Sequence, residues 1–145
     1  AKGCRTNMRD GNLTEQERDE IEAFVRGRLG CQCPTEVFES ILVENRAGRE
    51  GEPRYTRLLI GQRLLIFVAG ASQADRTAPA VAALARAGTA ERNDEGYNRF
   101  RLVQPAPASE SVQQAFRAVI DGDNKAHLHF VPAGDIPEPL RAPDH

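Results

Sequence analysis

Two cysteines separated by one residue carry the strongest chemical signal in this sequence. Cys31 and Cys33 stand between Leu29-Gly30 and Pro34. Proline is favoured at the first position of a helix, so Pro34 predicts a helix from residue 34 with Cys33 as its N-cap. Unpaired amides and the positive end of the helix dipole would stabilise a thiolate there. We therefore expect Cys33 to be a reactive nucleophile or a soft-metal ligand, with Cys31 as its resolving thiol or second ligand.

The same two cysteines also fit a purely structural role. Buried cysteine often fills space as a small hydrophobe, and the sequence has no second Cys pair to complete a four-thiolate metal site. A disulfide across one intervening residue would be strained and easily reduced. The count of three cysteines is odd, which argues against a closed disulfide framework. Reduced thiols and a cytoplasmic location are the expectation.

Two histidines supply further candidate metal ligands. His127 and His129 alternate along the last predicted strand, so their side chains point to the same face of the sheet. Together with Cys31 and Cys33 they provide the ligand types of a Cys₂His₂ site, for which zinc or copper would be the ion. Neither spacing matches that of a zinc finger, and two solvent-facing histidines are the simpler interpretation.

Arginines and a glycine loop indicate a different chemistry, the binding of anions. Arg99 and Arg101 alternate with apolar residues in a predicted strand, so both guanidinium groups would project from one face. Gly70 begins a loop between a buried strand and a helix, where free amides can bind phosphate. This loop lacks the pattern of a P-loop, and Asp75 would repel an anion. A plain strand-to-helix connection and two exposed arginines are the simpler interpretations.

Length and composition set the class of protein. A chain of 145 residues with 40% hydrophobic and 28% charged residues is typical of one globular domain. The formal net charge of −2 gives no general attraction to nucleic acid or to a membrane surface. The longest apolar run, over 64–71, is too short to cross a bilayer. Membrane and nucleic-acid partners are therefore disfavoured, whereas an unidentified protein partner or a homo-oligomer fits this composition.

Periodicity and capping residues predict the elements that must position these side chains. Helices are predicted over about 15–29, 34–40, 77–87 and 109–121, and strands over about 41–45, 55–60, 63–69, 99–104 and 126–131. Thr14 and Glu17 form a capping box for the first helix. Gly88 is expected to end the third helix, before a polar turn region over 89–98. Gly61-Gln62 predicts a type II′ turn between the second and third strands.

These elements predict a single α+β domain. A mixed sheet of about five strands, with a central antiparallel hairpin, would be packed by about four helices. The domain is expected over 13–132, with a flexible lead-in over 1–12 and a proline-rich flexible tail over 133–145. The helical connections between the last three strands would be right-handed crossovers if those strands are parallel.

Functional hypotheses from different classes follow from these patterns. The first is a thiol-dependent accessory protein for redox or soft-metal handling, with Cys33 as the activated thiolate and Cys31 as its partner. The second is a non-catalytic interaction or assembly module, in which the cysteines only pack. Anion or nucleotide binding through Gly70, Arg99 and Arg101 is a third. The sequence has no G-x-S-x-G, H-E-x-x-H or dinucleotide fingerprint, so it does not establish an enzyme.

Overall fold

A mixed β-sheet, covered on both faces, forms the framework of the molecule. The computed structural model describes residues 7–8, 13–30, 35–46, 54–70, 73–122 and 125–141. Its α-helices are α1 (Glu15–Gly27), α2 (Ala78–Glu95) and α3 (Glu110–Ile120). Its strands are β1 (Asn7–Met8), β2 (Ile41–Arg46), β3 (Tyr55–Ile60), β4 (Leu64–Ala69), β5 (Arg99–Pro105) and β6 (Ala126–Val131). Short 3₁₀ helices lie at Thr35–Glu39, Gln73–Arg76, Ala133–Asp135 and Glu138–Leu140.

The strands lie in the sheet in their order along the chain, from β1 to β6. Neighbours from β1 to β4 are antiparallel, whereas β4, β5 and β6 are parallel. Helices α2 and α3 connect the parallel strands, because a parallel pair needs a crossover rather than a tight turn. The predicted single α+β domain, with a mixed sheet and a central hairpin, is confirmed. Five long strands form it, and the two-residue β1 adds an edge.

Two hydrophobic cores lie on opposite faces of the sheet, since successive residues of a strand point to opposite sides. Helix α1 packs on the first, which we call the α1 face, through Ile21, Phe24 and Val25. Helices α2 and α3 pack on the second face, through residues such as Leu84 and Phe116. All six residues of β4 are buried, as predicted for a central strand covered on both sides.

The start of α1 is fixed by the predicted capping box. The backbone N–H of Glu17 donates to Oγ1 of Thr14 at 3.0 Å, and the N–H of Thr14 donates to Oε1 of Glu17 at 3.0 Å. Two amides that would otherwise lack a partner are thereby satisfied. The sequence signal and the structure agree at this helix end.

The helix predicted from residue 34 is different in the structure. Thr35–Glu39 forms a five-residue 3₁₀ helix, so the described chain has three α-helices rather than the four predicted. The guanidinium of Arg18 donates to the carbonyls of Phe38 and Glu39 at 3.2 and 2.8 Å. These bonds satisfy two carbonyls at the end of the turn, and β2 begins shortly afterwards at Ile41.

The hairpin between β3 and β4 has a different turn from the one predicted. Gly61 and Gln62 have φ values of +60° and +56°. Positive φ at both central residues is the signature of a type I′ turn, not of type II′. Glycine is required at 61 for a second reason as well, because a Cβ there would lie 2.4 Å from Cγ1 of Val37.

Helix α2 does not end at Gly88 as predicted. It continues through 89–95 and ends at Gly96, whose φ of +75° is the left-handed C-cap conformation. Gly88 lies inside the helix, and the ring of Phe100 packs against it in the space that a side chain would need. A Cβ at 88 would lie 2.1 Å from Cζ of Phe100. The predicted polar turn region over 89–98 is therefore mostly helix.

The segment after β6 belongs to the core of the α1 face as far as it is described. Ile136 and Leu140 are 3% and 0% exposed. Asn45 of β2 donates from Nδ2 to the carbonyl of Arg141 at 3.4 Å. The segment therefore crosses the α1 face from β6 to β2. Residues 142–145 of the predicted tail lie outside the described residues, as does most of the predicted lead-in.

Candidate anion-binding site

The predicted thiol site lies outside the described residues, which omit 31–34 and the positions before 7. The chain on either side is described: Gly30 has a left-handed φ of +72°, and Thr35 begins the 3₁₀ helix. A five-residue 3₁₀ helix aligns few peptide dipoles, so the proposed source of thiolate stabilisation at Cys33 is weaker than a full α-helix would give. The reactivity of Cys31 and Cys33 stays a prediction.

The described ends of the loop that begins at Gly70 make structural hydrogen bonds. The N–H of Gly70 donates to the carbonyl of Arg54 at 2.9 Å, so this amide already has a partner. The Asp75 carboxylate is buried and accepts the N–H of Arg54 at 3.0 Å. A buried carboxylate at this position opposes the entry of a phosphate.

Gly70 is also remote from the arginines that were to share its ligand. Arg101 pairs with Ile66 of β4, four residues before Gly70. That spacing corresponds to about 13 Å along an extended strand. The predicted combination of Gly70, Arg99 and Arg101 in one site therefore does not fit the sheet.

Two neighbouring strands bring two arginines and two histidines onto one face. β5 carries Arg99 and Arg101, β6 carries His127 and His129, and Arg101 lies opposite His127 in the parallel register. Val103, two residues beyond Arg101, belongs to the core of the α1 face, so the alternation of the strand places both arginines on that face as well. Val131 of β6 belongs to the same core, so the alternation of that strand places His127 and His129 on the α1 face too. We call these four residues the Arg/His cluster.

The four side chains are half-buried and paired across the strands. Nη1 of Arg101 donates to Nε2 of His129 at 2.9 Å, and Nη1 of Arg99 lies 3.4 Å from Nε2 of His127. When His129 accepts this bond, its Nε2 carries the lone pair and the imidazole is neutral. The simple interpretation of two solvent-facing histidines is thus replaced by Arg–His pairs.

Burial and positive charge act together on this cluster. Burial, followed by the charges of Arg101 and His127, lowers the pKa of His129 from 6.5 to about 4. Burial, followed by the charge of Arg99, also lowers the pKa of the Arg101 guanidinium. His129 is therefore neutral at physiological pH, whereas Arg101 keeps its charge because an arginine pKa starts so high.

Arg101 has an unsatisfied charge among the residues that the structure describes. Its Nε atom is inaccessible to solvent and has no hydrogen-bond partner. No described carboxylate forms an ion pair with it, and its one polar contact is to the neutral His129. A half-buried cation without a counter-charge is costly unless an anion binds to it.

Arg57, on the opposite face, shows the contrasting arrangement. It is buried, forms an ion pair with Glu91 of α2, and lies 3.6 Å from a carboxylate oxygen of Glu44 on β2. Glu44 also accepts from Arg46 at 2.6 Å. These pairs join β2, β3 and α2, and they neutralise the buried guanidinium of Arg57 without any ligand.

The metal site predicted at His127 and His129 has little support in the described chain. Both Nε2 atoms face guanidinium nitrogens, and a nearby positive charge opposes the binding of a second cation. In the described residues, no three His, Cys, Asp or Glu side chains come together as a metal-binding group. A contribution from Cys31 and Cys33, and hence a zinc or copper site, stays a prediction.

Comparisons with known proteins give no relative. No protein-family model matches the chain, and no curated protein or solved structure is significantly similar to it. Among the described helices, none combines the length and apolar character needed to cross a membrane. The function must therefore be argued from the cluster itself.

Proposed function

We propose that the protein is a binding module for an anionic group, a phosphate or a carboxylate, at the Arg/His cluster. One observation carries the proposal: Arg101 is half-buried, its Nε has no partner, and no described carboxylate balances its charge. An oxyanion would accept a hydrogen bond from Nε and neutralise the guanidinium at the same time.

The residue types of the cluster suit this role. The planar guanidinium of Arg101 matches the geometry of a carboxylate or phosphate, and Arg99 adds a second positive charge on the same face. His129 is uncharged before binding because burial, and after it Arg101 and His127, lower its pKa. An anion would reverse that effect, so His129 would take up a proton more readily in the complex.

Binding fits the geometry better than catalysis does. Activation of a serine, threonine or cysteine nucleophile by a histidine base requires the hydroxyl or thiol within hydrogen-bond reach of the imidazole. Nε2 of His129 is occupied by the guanidinium of Arg101 instead. The described cluster therefore offers positive charge and donors, which recognise an anion, rather than an activated nucleophile.

The test is thermal denaturation of the full chain in phosphate and in chloride at equal ionic strength. A ligand that binds only the folded state raises the melting temperature, and the rise grows with the logarithm of the ligand concentration above its Kd. We expect phosphate to raise the melting temperature of the wild type by more than that of Arg101→Gln. The exposed Arg86 of α2 provides the control, since Arg86→Gln removes the same charge away from the cluster. Equal phosphate effects in all three proteins would refute the proposal.

Thiol-dependent chemistry at Cys31 and Cys33 is a second proposal. It rests on the spacing of the two thiols in the sequence, between buried Leu29 and the 3₁₀ helix that begins at Thr35. The rate of alkylation of each cysteine is measured against pH, with and without zinc. Slow reaction at both thiols, with no protection by the metal, would favour the alternative of a non-catalytic interaction module with structural cysteines.

A further inference from the structure

A polar pocket of about 590 Å³ opens at the amino ends of β5 and β6, apart from the Arg/His cluster. Its described lining consists of Arg63, Arg92, Asn93, Gly96, Tyr97, Asn98 and Lys125. Three of these residues are cationic and none is acidic. The volume lies within the range of about 300–1,000 Å³ that is usual for small-molecule sites.

The backbone holds the walls of this pocket in place. The N–H of Asn98 donates to the carbonyl of Arg63 at 2.7 Å, so the hairpin turn is attached to the loop that precedes β5. Arg92 donates from Nε to the carbonyl of Asn98 at 3.2 Å and from Nη1 to the side chain of Asn93 at 3.0 Å. Gly96 turns the chain with a φ of +75°. The N–H of Phe100 donates to the carbonyl of Lys125 at 3.0 Å, so three connected segments present their side chains to this cavity.

We infer that this pocket binds a phosphorylated small molecule. Arg63 and Lys125 lie on different segments and bring their charges to the same cavity, which suits a doubly charged phosphate with acceptor oxygens on several sides. The amides of Asn93 and Asn98 and the phenol of Tyr97 supply hydrogen-bonding groups for an uncharged polar portion of the ligand. This inference does not depend on anion binding at the Arg/His cluster, whose side chains point to the α1 face.

The experiment follows the backbone amides of the full chain by NMR while inorganic pyrophosphate is added, with sodium chloride at equal ionic strength as the reference. We expect saturable shifts at Tyr97, Asn98 and Lys125 that chloride does not produce. Arg63→Gln should weaken this response about tenfold, the loss typical of one charge-assisted hydrogen bond. Arg63 lies in an exposed turn and its backbone bonds do not need the side chain, so the variant should fold.

Arg101→Gln separates this inference from the proposed function. We expect this variant to keep the pyrophosphate-induced shifts of the pocket amides. The shift of His129, which pyrophosphate causes in the wild type if the Arg/His cluster binds anions, should be lost. The absence of saturable shifts at the pocket in the wild type, or an Arg63→Gln response equal to the wild type, would overturn the inference. Retention of the His129 response in Arg101→Gln would instead count against the cluster alone.

Discussion

Arg57 and Arg101 lie on opposite faces of one sheet, and their guanidinium groups have different electrostatic surroundings. Arg57 lies between Glu44 and Glu91. Arg101 contacts the uncharged His129, and its Nε has no partner among the residues that the structure describes. We interpret the first arginine as part of the structure and the second as a site held ready for a ligand, which implies that the two differ in their contribution to stability.

Replacement by leucine tests that difference. Arg101→Leu removes an uncompensated charge, so we expect the free energy of unfolding to stay the same or rise by up to about 1 kcal/mol, with loss of anion binding. Arg57→Leu leaves the Glu91 carboxylate without its cation, whereas Glu44 keeps its ion pair with Arg46, and we expect a loss of about 3 kcal/mol. Urea denaturation of both variants measures these values. A large loss of stability in Arg101→Leu would show that its role is structural.

The titration of His129 gives a prediction for stability against pH. Burial, Arg101 and His127 lower its pKa from 6.5 to about 4 in the folded protein. Between these values the unfolded chain binds more protons than the folded chain, so stability falls as the pH is lowered from 7 towards 4. After allowance for solvent screening of a partly exposed group, this histidine should account for about 1–2 kcal/mol of the loss.

The measurement compares urea denaturation of the wild type and His129→Gln at several pH values. The glutamine variant cannot take up this proton, so its decrease in stability from pH 7 to pH 4.5 should be smaller by the stated amount. Carboxylates elsewhere contribute equally to both proteins and cancel in the comparison. Parallel stability curves for the two proteins would show that His129 titrates normally.

Among the secondary-structure elements, α2 shows how a tertiary contact overrides a local signal. Glycine is a common helix terminator, yet Gly88 lies within α2. The residue is a glycine because the Phe100 ring occupies the space that a side chain would need. Phe100 is fully buried in the core between α2 and the sheet. The position of Gly88 is therefore a requirement of helix–sheet packing, which a single sequence does not reveal.

Gly88→Ala tests this reason for the glycine. Alanine usually stabilises a helix relative to glycine by about 0.5–1 kcal/mol. Here the added methyl group would collide with Phe100, and we expect a loss of about 1–3 kcal/mol instead. Gly27→Ala in α1 is the matched control, because no atom lies within 4 Å of a Cβ at that position, and it should show the ordinary small gain. Stabilisation by both substitutions would contradict the packing argument.

An element could be predicted when the contacts that form it join residues close together in the sequence. The capping box of Thr14 and Glu17 and the strand Ala126–Val131 depend on neighbouring residues, and the sequence predicts both correctly. The end of the 3₁₀ helix before β2 accepts hydrogen bonds from Arg18, and the turn at Gly61 lies against Val37. Such distant contacts are outside the reach of local patterns.

At the scale of the whole molecule, the register of the sheet creates the site. The alternation of Arg99 and Arg101, and that of His127 and His129, could be predicted from the sequence. Their pairing could not, since it depends on the parallel alignment of β5 with β6 through the packing of α3. The burial that lowers the pKa of His129 is likewise a property of the assembled fold.

The segment after β6 also contributes to the molecule as a whole. Leu140 is 0% exposed and lies in the same core as α1. We expect Leu140→Ala to lower the free energy of unfolding by about 3 kcal/mol, the usual cost of a cavity in a packed core. Glu138→Ala in the same 3₁₀ helix is exposed and should change it by less than about 0.5 kcal/mol. Equal stability of the two variants would show that the segment is dispensable for folding.

The most direct test of the anion site is an NMR pH titration of the His129 imidazole in chloride and in sulfate at equal ionic strength. Sulfate keeps its charge throughout this pH range and mimics a phosphate group. We predict a midpoint at about pH 4 in chloride, and a rise of about one unit or more in sulfate as the bound anion offsets the charge of Arg101. A midpoint that is the same in both salts, or one near 6.5 in chloride, would contradict anion binding at the Arg/His cluster.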